Sequence, residues 1–165
     1  MTKRTVLVLL SVGLLTSANI AAEPTSQSLQ GVWQAVEITI PGPVKQTITI
    51  PEPRPNLMVF TAKHYSRVTV EAPGPRPPVA DATTASADQL RAAWGPFYAE
   101  AGRYEITGNV ITLRPLAAKN PAAMAPGAYT TWSFTIENNT LRATAQQTHN
   151  GPVANPPTIT LVRVE

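Results

Sequence analysis

The sequence has no cysteine, few charges and no recognisable nucleophile or phosphate-binding motif. Of its 165 residues 14% are charged and none is cysteine, so disulfides, a thiol nucleophile and a lipid-modified cysteine are excluded. Neither a Gly-x-Ser-x-Gly motif nor a glycine-rich phosphate loop occurs. His64 and His149 have no carboxylates at metal-ligand spacing. The sequence therefore predicts no metal and no cofactor.

Basic clusters are also missing once the N-terminus is set aside. Lys3 and Arg4 precede an apolar run over residues 6–15, and small residues follow up to Ala21-Ala22. This order is typical of a secretory signal peptide, so we expect residues 1–22 to be removed and the protein to be periplasmic or extracellular. An uncleaved membrane anchor is the alternative. Cleavage leaves 11 of the 13 Lys and Arg residues against 10 Asp and Glu residues. Because no basic cluster remains, we expect no nucleic-acid partner and, after cleavage, no membrane span.

What the sequence does contain is a series of short stretches with the alternation of β-strands. The first runs over Gly31–Ile40, where Val36 and Ile38 recur at period two and Pro41 ends the pattern. In a later stretch Trp132 and Phe134 share one face. Further strands are predicted over residues 44–50, 57–61, 65–71, 103–107, 109–114, 129–137, 140–147 and 158–164.

Turn and helix signals separate these strands. Ser86 and Gln89 fit a capping box that opens a helix over Ala87–Trp94, and Gly95-Pro96 ends it. Residues 115–127 are predicted to be a loop, and Asn138-Asn139 suits a tight turn because Asn tolerates positive φ. About eight strands with hairpin turns and one short helix predict a mainly β fold, a single closed antiparallel barrel. We place this domain at residues 31–165, after a flexible lead-in at residues 23–30.

Several motifs, in order, resemble the bacterial lipocalin-like domain family, whose barrels are of the calycin type. They are Gly31-Val32-Trp33, the strand pair over residues 57–70, the helix running into Trp94, Ala101-Gly102-Arg103-Tyr104, Asn120-Pro121 and the hairpin through Asn138-Asn139. No single motif is specific, and their order and spacing over residues 31–165 carry the resemblance. It implies a barrel with a central cavity. It also implies a structural signature in which Trp33 closes one end and Arg163, on the last strand, covers it.

Aromatic residues are the main candidates for a binding site. Trp94, Phe97, Tyr98 and Tyr104 gather around the helix end and the next strand, while Trp132 and Phe134 share the inward face of a later one. A helix in this position would place the first group at the mouth of the cavity. We therefore expect all six to contact a ligand.

Three functional hypotheses remain open on the sequence alone. The main one is an exported barrel that binds a small apolar or amphipathic molecule without catalysis. The second is a barrel enzyme of the isomerase or cyclase type, with Tyr104, Glu105 or Arg114 as its acid or base. The third is a filled barrel with a structural or partner-binding role. An ionisable residue that faces the cavity and has a shifted pKa would favour the enzyme. Oligomeric state is not predicted.

Overall fold

A computed structural model describes residues 26–42, 46–49, 55–72 and 74–165 of the chain. The predicted signal peptide lies outside these residues. Within them, ten strands form one antiparallel sheet. The strands are β1 (Gly31–Ile40), β2 (Gln46–Thr49), β3 (Asn56–Phe60), β4 (His64–Val70), β5 (Phe97–Thr107), β6 (Val110–Ala118), β7 (Thr130–Glu137), β8 (Thr140–Thr148), β9 (Gly151–Pro152) and β10 (Thr158–Arg163). The helices are α1 (Ser26–Leu29) and α2 (Ala87–Trp94), and Pro121–Met124 is a 3-10 turn.

Eight of the described strands close into a barrel, as predicted. The order around the wall is β1, β3, β4, β5, β6, β7, β8 and β10. β10 completes the ring because it pairs with β1 on one side and with β8 on the other. β2 and β9 lie outside this ring and pair with β1 and β8 respectively. The first and last strands of the domain are therefore neighbours.

The N-terminal end of β1 forms one closed end of the barrel. Trp33 is fully buried there, and the Arg163 guanidinium lies 4.1 Å from the centroid of its ring, which confirms the predicted contact between the two side chains. Gly31 has a φ of 133°, in the region that favours glycine. A Cβ at this position would also collide with the Arg163 side chain. The glycine is thus needed for both its backbone conformation and its small size.

The expected flexible lead-in differs from the structure in its second half, where α1 forms. Leu29 is 1% exposed and its carbonyl accepts a hydrogen bond from the Trp33 indole at 2.9 Å. Arg163 donates to the carbonyl of Ser28 at 2.6 Å and to that of Gln30. The Arg163 contacts join residues more than 130 positions apart in the chain, which explains why local sequence did not indicate them.

The opposite end of the barrel carries the longer connections. The predicted capping box of α2 is present: the Ser86 hydroxyl accepts from the Gln89 amide at 3.2 Å, and the Gln89 side chain accepts from the Ser86 amide at 2.8 Å. The Lys119 ammonium donates to the carbonyls of Trp94 and Gly95 at the helix C-terminus and to that of Phe97 at the start of β5. No helix in the described part of the chain has the length and apolarity to span a membrane.

Two strands are longer than the sequence predicts. β5 begins at Phe97, directly after the helix, rather than at Arg103, because the additional residues pair with the far half of β4. β6 continues through Pro115 to Ala118, inside the expected loop. Proline is accommodated there because the pairing of β5 with β6 shifts register between Ala101 and Gly102, and such irregularities spare a ladder hydrogen bond.

Candidate functional site

The barrel interior contains a cavity of about 80 Å³. Ligand pockets for drug-sized molecules span roughly 300–1,000 Å³, so this one suits a short group or the enclosed part of a longer molecule. Its apolar wall comes from strands all round the barrel except β4 and β5. That wall includes Leu113, Trp132, Phe134, Leu141, Ile159 and Leu161.

The alternation of β7 and β8 builds one side of this wall. Trp132 and Phe134 point inward from β7, and Ala143 on β8 lies opposite Phe134 in the register. The small Ala143 side chain leaves the space that the larger neighbours enclose. The Trp132 indole donates to the Thr130 hydroxyl at 3.3 Å, so its polar edge is satisfied.

A polar side completes the lining of the cavity. Asn56 comes from β3, while Arg67, Thr69 and Glu71 come from alternate positions of β4 and the residue after it. Period-two alternation puts these three on one face, whereas Val68 between them is exposed on the outside. The cavity therefore has an apolar body and one side that can hydrogen-bond.

Arg67 is the positively charged group of this polar side. Its guanidinium stacks on Tyr98, 4.7 Å from the centroid of the ring. Stacking uses the face of the guanidinium and leaves its N–H groups at the edge. Arg67 makes no hydrogen bond or ion pair with any residue that the structure describes. Its donors are thus available to an acceptor in the cavity.

Two tyrosines and a glutamate lie beside Arg67: Tyr65 on β4, Tyr98 under the guanidinium, and Glu100, which is opposite Arg67 in the register of β4 with β5. Burial, followed by the nearby Glu100 carboxylate, raises the pKa of Tyr65 and of Tyr98 well above the usual range of tyrosine. Glu100 itself is only 9% exposed. The Tyr65 hydroxyl is buried and makes no hydrogen bond of normal geometry with a described residue, although the Glu100 carboxylate is close enough to raise its pKa. Both hydroxyls therefore stay protonated at physiological pH.

Asn56 closes a gap between β1 and β3. These strands pair only over Gly31–Trp33, and β2 takes the place of β3 beside the second half of β1. Where they separate, the Ala35 amide donates to the Asn56 side-chain oxygen at 2.6 Å, and the Asn56 amide donates back to the Ala35 carbonyl at 3.2 Å. The side chain thus replaces a backbone pair and keeps the wall intact beside the cavity.

The six aromatic residues expected to contact a ligand are not brought together. Trp132 and Phe134 line the cavity. Tyr98 does not line it, but its ring packs against the guanidinium of Arg67, which does. Tyr104 is buried outside the cavity lining, where its ring packs edge-on against Phe60 with 5.3 Å between centroids. Its hydroxyl donates to the carbonyl of Thr61 at 2.6 Å.

The remaining two aromatics lie on the outside of the barrel. Trp94 is 52% exposed, and its ring is edge-on to that of Phe97 with 6.4 Å between centroids. Trp94 borders a separate surface groove with Pro77 and Pro78. The Arg76 guanidinium covers Phe97 at 5.2 Å from its centroid. Neither aromatic lines the cavity.

The three candidate acid–base residues also lie apart. Tyr104 faces inward, whereas Glu105 and Arg114 are exposed on the outer face of β5 and β6. Arg114 lies 5.7 Å from the ring centroid of Tyr129. The structure therefore does not assemble them around a common point in the cavity.

The polar side of the cavity was missed by the sequence reasoning. Its signal was available in the β4 pattern, where Tyr65, Arg67, Thr69 and Glu71 alternate with outward residues. That pattern reads equally well as a polar outer face, and only closure of the barrel decides which face is inside.

The comparisons with known proteins add no assignment to this geometry. No family model, curated protein or solved structure matches the chain. In the described part of the chain, no three His, Asp or Glu side chains are grouped so that they could hold a metal ion. The cavity and its polar side are the features of the described structure that could receive a ligand.

Proposed function

We propose that the protein binds a small amphipathic molecule in its barrel, without catalysis, in the manner of a lipocalin-like domain. The observation that carries this proposal is the cavity of about 80 Å³, apolar over most of its wall and polar along β4. An apolar body with a few placed polar groups is the usual composition of a ligand site. Gly31, Trp33 and Arg163 at the closed end support the family resemblance.

Binding accounts for the site better than acid–base chemistry. The groups near the cavity with shifted pKa values are tyrosines, and the shift is upward, away from the range in which they could act as bases. They serve as neutral hydroxyls. A filled barrel with a purely structural role leaves the unoccupied volume beside Ala143 unexplained. Export outside the cytoplasm remains part of the proposal, on the strength of residues 1–22.

The experiment that tests the proposal uses 1-hexanol as a neutral amphipathic probe. We expect saturable binding to the protein. Tryptophan fluorescence monitors it, and the change in emission should arise from Trp132. Trp132→Phe should remove the change, whereas Trp94→Phe, its exposed counterpart, should retain it. If Trp94→Phe removes the emission change and Trp132→Phe retains it, the probe binds in the outer groove and the proposal is contradicted.

A cavity-filling variant makes the test independent of fluorescence. Ala143→Leu adds three carbon atoms to the cavity wall, so it should abolish binding. The free energy of unfolding should stay equal or rise by about 0.5–2 kcal/mol. Ala117→Leu makes the same change on an exposed position of β6 and should bind the probe normally. Binding of 1-hexanol that survives Ala143→Leu in a folded protein would overturn the assignment to the cavity.

A further inference from the structure

The Arg67 guanidinium is the one group on the cavity wall that combines a full positive charge with donors unused by any described residue. It is only partly exposed. A guanidinium removed from water without an acceptor is costly, and its planar fork of N–H groups matches the two oxygens of a carboxylate. Stacking on Tyr98 holds the fork in one orientation before any ligand arrives.

The acidic residues near Arg67 do not form an ion pair with its guanidinium. Glu71 lines the cavity and Glu100 lies beside Tyr65 and Tyr98, yet neither is within ion-pair distance of Arg67 in the described structure. Coulomb interactions weaken with distance. The attraction between Arg67 and a ligand carboxylate in direct contact with it therefore exceeds the repulsion of that carboxylate by the more distant glutamates. Tyr65 and Tyr98 remain protonated and add no negative charge.

We propose that Arg67, held by Tyr98, anchors the carboxylate of a short-chain organic acid whose apolar part enters the cavity between Trp132 and Phe134. This inference rests on the proposed function and specifies its ligand class. The small cavity limits the enclosed part to a short chain. Orientation follows from the geometry: the head group lies on the β4 side and the tail points toward β7.

The experiment compares hexanoate with 1-hexanol and hexylamine, which share a chain length and differ in head group. We expect the wild-type protein to bind hexanoate about tenfold to a hundredfold more tightly than 1-hexanol, since a hydrogen-bonded charge pair is worth that much. Arg67→Gln should bring hexanoate to the affinity of 1-hexanol, which itself should change less than twofold. Arg67→Lys keeps the charge but loses the fork, so it should be intermediate.

Arg103→Gln is the matched control because Arg103 is exposed on the outside of β5. It removes the same charge from the protein and should leave all three affinities unchanged. Circular dichroism and thermal melting of each variant establish that it is folded. Tyr98→Leu, which removes the stacking platform without touching the charge, should weaken hexanoate more than 1-hexanol.

Each outcome separates this inference from the proposal beneath it. If 1-hexanol and hexanoate bind equally, or if Arg67→Gln weakens both alike, the cavity binds ligands but Arg67 does not anchor an acid. If hexylamine binds most tightly, Glu71 and Glu100 set the preference and the inference is overturned. If none of the three probes binds, the proposed function itself fails.

Discussion

Tyr65 and Tyr104 are two buried tyrosines whose hydroxyl groups have opposite surroundings. The Tyr104 hydroxyl donates to a carbonyl, whereas the Tyr65 hydroxyl makes no hydrogen bond of normal geometry with a described residue. A buried polar group without a hydrogen bond costs free energy of folding, about 1–3 kcal/mol, and a made bond returns about 1 kcal/mol.

Substitution of each tyrosine by phenylalanine should therefore change stability in opposite directions. We expect Tyr65→Phe to raise the free energy of unfolding by about 1 kcal/mol and Tyr104→Phe to lower it by about the same amount. Urea denaturation at neutral pH measures both. Equal destabilisation by the two variants would mean that the Tyr65 hydroxyl is satisfied in solution, by the nearby Glu100 carboxylate or by a bound water.

Alkaline pH should destabilise the fold through the same cluster. The pKa of Tyr65 and of Tyr98 is raised in the folded state above the value of 10.0 that applies when the chain is unfolded. Below pH 10 both states keep their protons and the stability is fully present; above it only the unfolded state ionises, so stability falls as pH rises. The loss should approach about 1.4 kcal/mol per pH unit for each tyrosine.

Denaturation curves between pH 9 and 11.5 check this dependence. Tyr65→Phe and Tyr98→Phe should each reduce the slope, and the double variant should reduce it most. A slope that is unaffected by both substitutions would assign the alkaline loss to other groups.

Among the secondary-structure elements, α2 is attached to the rest of the molecule through side-chain hydrogen bonds to its backbone. Lys119, directly after β6, donates to two carbonyls at its C-terminus and to that of Phe97, and Arg76 donates to the Ala93 carbonyl at 3.1 Å. Its exposed Trp94 contributes little burial. The helix therefore depends on hydrogen bonds from two cations.

Removal of the Lys119 ammonium should loosen α2 without unfolding the barrel. We expect Lys119→Met to speed hydrogen exchange of the α2 amides by at least tenfold and to change the global free energy of unfolding by less than about 1 kcal/mol. Hydrogen exchange detected by mass spectrometry measures the protection of α2 and of the barrel strands in one experiment. Arg103→Met, on the outside of the wall, is the control. Loss of protection across β5 and β6 as well would show that the helix is integral to the barrel.

The elements differ in how far the sequence predicts them. β1 and α2 were predicted with their observed bounds because period-two alternation and a capping box are local signals. The first half of β5 was missed, since Gly95-Pro96 indicates a break and only pairing with β4 makes Phe97 extended. The inward position of Arg67 was missed for the same reason: closure of the whole sheet, not the local pattern, decides which face is enclosed.

At the scale of the whole molecule, the predicted export concerns residues outside the described structure. Lys3, Arg4 and the apolar run over residues 6–15 predict cleavage after Ala22. We expect N-terminal sequencing of protein recovered from the periplasm or medium to begin at or near Glu23. Recovery of such protein with Met1 or Thr2 at its N-terminus would refute the prediction.

The position of β10 between β1 and β8 has a consequence for the order of events in folding. Residues at opposite ends of the domain must meet before the wall is complete, and such long-range pairings are the slow step in folding, on the scale of milliseconds to seconds. Until then β1 and β8 each present an unpaired edge. During that interval a strand from a second nascent copy can compete for the same place, so a chain cut before Thr158 would be prone to strand exchange and aggregation.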